Sequence, residues 1–113
     1  MTRIRARLIA LLLLPLACGL LSAATPEPEP QVSSGHLITI ENFESDYVPG
    51  RDIFVWLPPG YDEKRRYAVL YMHDGESLWD ASTTWNGQEW GVDEAVAGLL
   101  DEGSIRDVIV VGI

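Results

Sequence analysis

The sequence is poor in cysteine and in basic residues. Its 113 residues include one cysteine, and eight lysines and arginines stand against 17 aspartates and glutamates. A lone cysteine excludes a disulfide within the chain, so the fold must depend on a hydrophobic core. The formal charge of −9 argues against nucleic acid or an anionic membrane surface as partner, and such acidity is also typical of a protein that simply stays soluble.

Long apolar runs are scarce too, and the longest lies near the N-terminus. It extends from Leu8 to Leu21 and covers only 14 residues, whereas a membrane span needs about 20. Three arginines precede it and small residues follow it up to Ala24. This pattern predicts a signal peptide over residues 1–24 and export to the periplasm or beyond, with a retained anchor as the alternative.

Cys18 lies inside this apolar run and leaves a second possibility open. Ala17 before it resembles a bacterial lipoprotein signal, whereas Pro15 is atypical of one. A lipidated Cys18 would anchor the protein to a membrane. Otherwise Cys18 leaves with the signal, and the mature formal charge becomes −12 because three of the eight basic residues and none of the 17 acidic ones are removed.

Composition and periodicity divide the remaining chain into a linker and a folded domain. Residues 25–35 read TPEPEPQVSSG, which predicts an extended, solvated Pro/Glu-rich linker. Residues 36–113 then predict strands at 37–43, 51–57, 67–72 and 107–113 and a helix at 89–100. We expect Asn86 to cap this helix, and we expect an apolar stripe on it formed by Val92, Val96, Leu99 and Leu100.

The order strand, strand, strand, helix, strand indicates an α/β fold. Its last three elements form a βαβ unit, which requires a parallel pair, while the first two strands form an antiparallel edge. The runs YAVLYM at 67–72 and DVIVVGI at 107–113 are almost wholly apolar. Such runs are typical of central strands covered on both faces.

Three segments at this spacing carry a family resemblance. RDIFVWLPPGYD at 51–62, YAVLYMHDGESLWD at 67–80 and DVIVVGI at 107–113 are similar to the start of the esterase branch of the α/β-hydrolases. That branch includes enterochelin, feruloyl and acetyl-xylan esterases. The resemblance implies the N-terminal part of an α/β-hydrolase sheet, and a serine enzyme that hydrolyses small-molecule or polysaccharide esters without a cofactor.

The residues that would perform this chemistry are absent from the sequence. The family's nucleophile lies in Gly-x-Ser-x-Gly, with an acid and a histidine further on, and no serine here has that context. Ser77 follows Gly75 by two residues, but Trp79 stands where the second glycine is needed. We therefore expect an incomplete N-terminal portion, truncated before the nucleophile strand and inactive alone.

One catalytic element is implied by the resemblance, namely half of an oxyanion hole. In this family the loop after the third strand offers a backbone N–H to the developing oxyanion, which corresponds here to the amide of Glu76. We expect Gly75 to provide the bend in this loop. The alternative is a plain turn, in which His73 and Asp74 only tie down the loop.

Tryptophans near the same loop suggest a substrate surface. Trp79 and Trp85 could form the floor of a sugar or aryl-ester site, or they could pack the loop onto the sheet as we expect for Trp90. The first possibility leads to a second class of function, a small secreted carbohydrate-binding module without catalysis. His36 and His73 lack any metal-ligand spacing, so no metal is expected.

Overall fold

The computed structural model describes residues 28–113. The predicted signal peptide and Cys18 lie outside these residues. Between residues 28 and 113 no helix is long and apolar enough to cross a membrane. The secondary structure consists of β1 (His36–Phe43), β2 (Arg51–Leu57), β3 (Ala68–Met72), two 3-10 turns (Gly75–Ser77 and Ala81–Thr83), α1 (Val92–Asp101) and β4 (Val108–Gly112).

The four strands form one mixed sheet in the order β1-β2-β4-β3. β1 pairs antiparallel with β2, and β2 pairs antiparallel with β4. β3 and β4 are parallel and are connected through α1. The predicted α/β class, the antiparallel edge and the parallel pair of the βαβ unit are therefore confirmed.

One face of the sheet carries the hydrophobic core. Alternation along β2 turns Phe54 and Trp56 toward this face, and the pairing of Trp56 with Val110 continues the face onto β4. The remaining core side chains come from the chain between the parallel strands, namely from the segment between the two 3-10 turns and from α1. The core consists of Phe54, Trp56, Leu78, Trp79, Val92, Val96 and Val110.

The opposite face of the sheet is apolar but much less covered. Ile38, Val55, Val111 and Tyr71 occupy matching register positions on the four strands, so they share this face. Tyr71 is 67% exposed, and Val55 and Val111 are only half-buried. The sequence predicts strands that are covered on both faces. Residues 28–113 cover only one of the two faces.

β3 differs from the sequence expectation in a second way. Its apolar composition predicts a central strand, but among the described residues it pairs with β4 alone and forms an edge of the sheet. Val69, Leu70 and Tyr71 are exposed as a result. Composition indicates which strand is suited to burial, whereas pairing depends on which other segments are in reach.

The helix begins three residues later than periodicity predicts. Gly91 adopts a left-handed conformation at φ 60°, and the amide of Val92 donates to the carbonyl of Leu78 at 3.1 Å. Asn86 does not cap the helix, because its Oδ1 accepts instead from the Gln88 amide within the loop. The buried stripe is also shifted, since Asp93 is buried while Leu99 is exposed.

A close backbone contact joins the end of β4 to the turn after β3. A Cβ built on Gly112 would lie 2.8 Å from the Gly75 Cα, and one built on Gly75 would lie 2.7 Å from the Gly112 carbonyl carbon. Distances this short exclude any side chain at either position unless the backbone moves. The two glycines therefore set how closely the turn approaches the sheet.

We predict that Gly112→Ala lowers the free energy of unfolding by about 1–3 kcal/mol, because overpacking at a rigid backbone contact forces displacement. Gly98→Ala is the matched control. It lies in α1 with open space around it, and alanine is favoured over glycine in a helix by about 1 kcal/mol. Urea denaturation of both variants measures the effect, and a Gly112→Ala protein as stable as Gly98→Ala contradicts it.

We also predict that the chain associates through the free edge of β3. Tyr71→Lys should reduce this association, because a charged side chain on an edge strand opposes pairing with another chain. Tyr47→Lys makes the same change at a loop residue that is 94% exposed, and it should leave association unaltered. Sedimentation velocity measures both, and a monomeric wild-type chain contradicts the prediction.

Candidate functional site

The turn after β3 is held against the carboxyl end of β4 by two backbone hydrogen bonds. The Ile113 amide donates to the Met72 carbonyl at 2.9 Å, and the Gly75 amide donates to the Ile113 carbonyl at 3.3 Å. Because β3 and β4 are parallel, their carboxyl ends lie at the same edge of the sheet. This is the edge at which α/β proteins bind their ligands.

The bend in this turn is made by Asp74 and not by Gly75. Asp74 has φ 59° and ψ 45°, a left-handed conformation that aspartate tolerates better than most residues. Gly75 has no positive φ. The positive φ thus lies one residue before Gly75, but Gly75 does avoid the clash that a Cβ would make with Gly112 and Ile113.

The amide of Glu76 differs from those on either side of it. The Gly75 amide donates to Ile113, and the Ser77 amide donates to the Asp74 carbonyl at 2.8 Å. The Glu76 amide makes no hydrogen bond to any residue between 28 and 113. Of the three main-chain amides in this 3-10 turn, it is thus the one that has no partner in the described chain.

Two open clefts meet at Glu76. The first, of about 500 Å³, includes Arg51, Asp52, Asp74 and Gly75 in its lining. The second, of about 620 Å³, is lined by Glu76 together with Phe54, Thr83 and residues 28–30. Acidic side chains outnumber basic ones in the first cleft by three to one, so its potential disfavours anionic ligands.

The three tryptophans near the loop have different positions. Trp79 is 1% exposed and belongs to the core, so neither face of its ring is open to a ligand. Of the two alternatives for this residue, the structure favours packing of the loop onto the sheet. Trp85 is 88% exposed and Trp90 is 65% exposed. Trp85 is therefore the one member of the predicted pair whose ring is available for stacking, which weakens the case for a carbohydrate-binding module.

The polar residues near the turn form no catalytic arrangement among the described residues. Ser77 lies within the 3-10 turn, and its carbonyl accepts from the Trp90 amide at 3.0 Å. His73 and Asp74 are exposed, and His36 begins β1, also exposed. Over residues 28–113 no group of three or more histidine, cysteine, aspartate or glutamate side chains is placed to hold a metal ion.

Sequence analysis missed a set of contacts between the linker and the helix. Asp93 is fully buried, and its Oδ2 accepts from the amides of Ser33 and Ser34 at 2.8 and 3.3 Å. The Ser33 hydroxyl lies 3.0 Å from that oxygen and 2.8 Å from Oε1 of Glu94, and its single proton can serve only one of them at a time. The clue available in the sequence was an aspartate placed between apolar positions of the helix.

The same segment lowers the pKa of two carboxyl groups. The Gln31 amide donates to Asp80, which with the bonds from Ser82 holds the pKa of that carboxyl below its ordinary value of 3.8. The hydroxyl of Ser33 lowers the pKa of Glu94 below 4.5. In both cases the hydrogen bond favours the ionised form.

Comparison with known proteins identifies the family. Residues 49–113 match the family model described as "Putative esterase", which is more than half of the chain. The chain therefore belongs to this esterase family, and the resemblance seen in the sequence is confirmed. No solved structure matches the chain.

We predict that position 74 requires a residue that tolerates the left-handed backbone conformation observed there. Asp74→Gly should retain full stability, because glycine adopts positive φ without strain. Asp74→Val should be less stable than Asp74→Gly by about 1–2 kcal/mol, because a β-branched residue is disfavoured there. Urea denaturation of the pair measures this difference, and equal midpoints contradict the prediction.

Proposed function

We propose that this chain is the N-terminal portion of an exported serine carboxylesterase and that the Glu76 amide supplies half of its oxyanion hole. The observation that carries the proposal is the unpartnered amide at the carboxyl edge of the parallel pair. Such an amide can donate to an oxygen that develops negative charge in the transition state. Membership of the esterase family supplies the reaction class.

The strand order supports an α/β-hydrolase arrangement for the complete domain. The free edge of β3 is open to a further parallel strand, and its exposed apolar side chains are suited to a buried position. In α/β-hydrolases the nucleophile follows such a strand on a sharp turn. A strand added there would bring a serine to the same edge of the sheet as Glu76.

The chemistry then proceeds in two steps. The serine hydroxyl, deprotonated by a histidine, attacks the ester carbonyl and forms a tetrahedral oxyanion. The Glu76 amide and the amide after the nucleophile donate to this oxygen. The alcohol leaves with a proton from the histidine, and water then attacks the acyl-enzyme to release the acid.

Only the main chain of Glu76 takes part in this mechanism. A carboxylate close to the oxyanion would repel it, so the side chain must point away from the reacting carbonyl. Glu76 is exposed and lines both clefts, so its side chain has room to lie in solvent. The acidity of the first cleft favours neutral over anionic esters as substrates.

The predicted export suggests where the enzyme acts. A signal peptide favours an extracellular ester, such as an acyl group on a polysaccharide or a siderophore, over a cytosolic thioester. The nucleophile, acid and histidine would be supplied by polypeptide beyond residue 113. The chain by itself should then be inactive.

A direct assay tests this proposal. The chain alone should not hydrolyse p-nitrophenyl acetate, whereas the product of the continued reading frame should, provided that it contains Gly-x-Ser-x-Gly. If the chain alone hydrolyses the ester and Ser77→Ala abolishes this activity, the active site lies within residues 1–113. A continued reading frame without the motif would overturn the proposed enzyme.

We predict that Glu76→Pro leaves the fold intact but lowers kcat of the complete esterase by about 10²–10³-fold, because it removes one oxyanion donor. The Glu76 amide makes no hydrogen bond in the described chain, so proline at this position removes no hydrogen bond of the fold. Glu76→Gln retains the amide and should keep kcat within a few fold. Circular dichroism controls for folding, and equal kcat in both variants contradicts the role.

A further inference from the structure

Residues 28–34, here named the N-terminal strap, are bound to the folded domain although their composition predicts a solvated linker. Val32 packs against the hydrophobic core. The indole N–H of Trp56, a fully buried residue, donates to the carbonyl of Ser34 at 2.7 Å. The strap therefore contacts the sheet as well as the helix.

Most other attachments of the strap end on carboxylates. The Gln31 amide donates to Oδ2 of Asp80 at 2.9 Å, and the amides of Ser33 and Ser34 donate to Asp93. Such bonds to charged acceptors are stronger than those between neutral groups. Asp93 is fully buried with its Oδ1 unpartnered in the described chain, so it depends heavily on these donors.

The first residues of the strap form one wall of the second cleft at Glu76. Pro28, Glu29 and Pro30 line this space of about 620 Å³ together with Phe54 and Thr83. If the strap left, the cleft would lose that wall and become an open face of the sheet. The bonds to Asp80, Asp93 and Glu94 therefore also determine the shape of the cleft.

We propose that the N-terminal strap is a detachable wall of the substrate cleft beside Glu76, held closed by hydrogen bonds from Gln31, Ser33 and Ser34 to carboxylates of the domain. The role in substrate binding rests on the proposed esterase function, whereas the attachment of the strap does not. The closed wall contacts one side of a bound ester and narrows the range of esters that fit.

The lining of the cleft defines the kind of group it accepts. Two prolines of the strap and Phe54 provide apolar surface. The charged members of the lining are all acidic, namely Glu29, Glu41, Asp52 and Glu76. An uncharged acyl or alcohol group meets apolar contacts there, whereas a carboxylate or phosphate would be repelled.

The attachment should weaken in acid. Asp80 and Glu94 face the strap together with the buried Asp93, and Glu89 lines the same surface groove, which contains no basic residue. The pKa values of Asp80 and Glu94 are lowered by the strap, so their stabilisation is complete above the ordinary values of 3.8 and 4.5. It is lost as the pH falls through the lowered values.

Hydrogen exchange of the whole chain tests the attachment without any activity. Ser33→Ala removes the hydroxyl bonds while leaving the main chain intact, so exchange of the amides of residues 31–34 should become about five- to tenfold faster. Ser45→Ala removes a hydroxyl whose one hydrogen bond within residues 28–113 is to the Tyr47 amide of the β1–β2 loop, and it should leave the amides of residues 31–34 unchanged. Acidification from about pH 6 to about pH 3 should lower their protection relative to β4.

Equal exchange rates of residues 31–34 in the wild type and both variants overturn the attachment of the strap.

The wall is tested separately with the complete esterase and p-nitrophenyl butyrate. Ser33→Ala should raise KM several-fold with kcat unchanged, because the wall contacts the substrate equally in the ground state and in the transition state. If Ser33→Ala exchanges faster but its KM is unchanged, the strap is attached but is not a wall of the substrate cleft. If Ser33→Ala exchanges faster but the complete wild-type protein hydrolyses no ester, only the proposed esterase function is overturned.

Discussion

The contact between Gly75 and Gly112 is the constraint on which the candidate site depends. Two backbones meet there without room for a side chain, so the turn after β3 lies directly on the end of β4. The hydrogen bonds of Ile113 with Met72 and Gly75 hold the same geometry. The contact fixes where the Glu76 amide lies relative to the sheet, and any reacting carbonyl has to be brought to that place.

A buried carboxylate organises the other side of the core. Asp93 lies in the first turn of α1, where the helix dipole favours a negative charge, and main-chain amides of the strap satisfy one of its oxygens. The residue therefore joins the helix to the N-terminal segment. The same region brings the strap beside the cleft at Glu76, so the helix, the strap and the candidate site form one connected structure.

The sheet presents two surfaces of different character. One face is covered by α1 and the segment that contains the 3-10 turns, and it carries the hydrophobic core, whereas the opposite face and the edge of β3 expose aliphatic and aromatic side chains. Polar residues would be expected on a sheet face that permanently meets water. The exposed apolar residues support the proposed larger domain, in which further polypeptide would cover this face and extend the sheet.

The sequence by itself determined the strands, the α/β class and the family. These depend on local signals, namely alternation in β2, apolar runs in β3 and β4, and motifs of adjacent residues around Pro58 and His73. Only the tertiary structure decided that Asp74 makes the bend, that Trp79 is buried while Trp85 is exposed, and that α1 begins at Val92. It also decided that the strap binds Asp93, a pair about sixty residues apart. Composition and periodicity describe each segment alone, whereas these features depend on which distant segment reaches it.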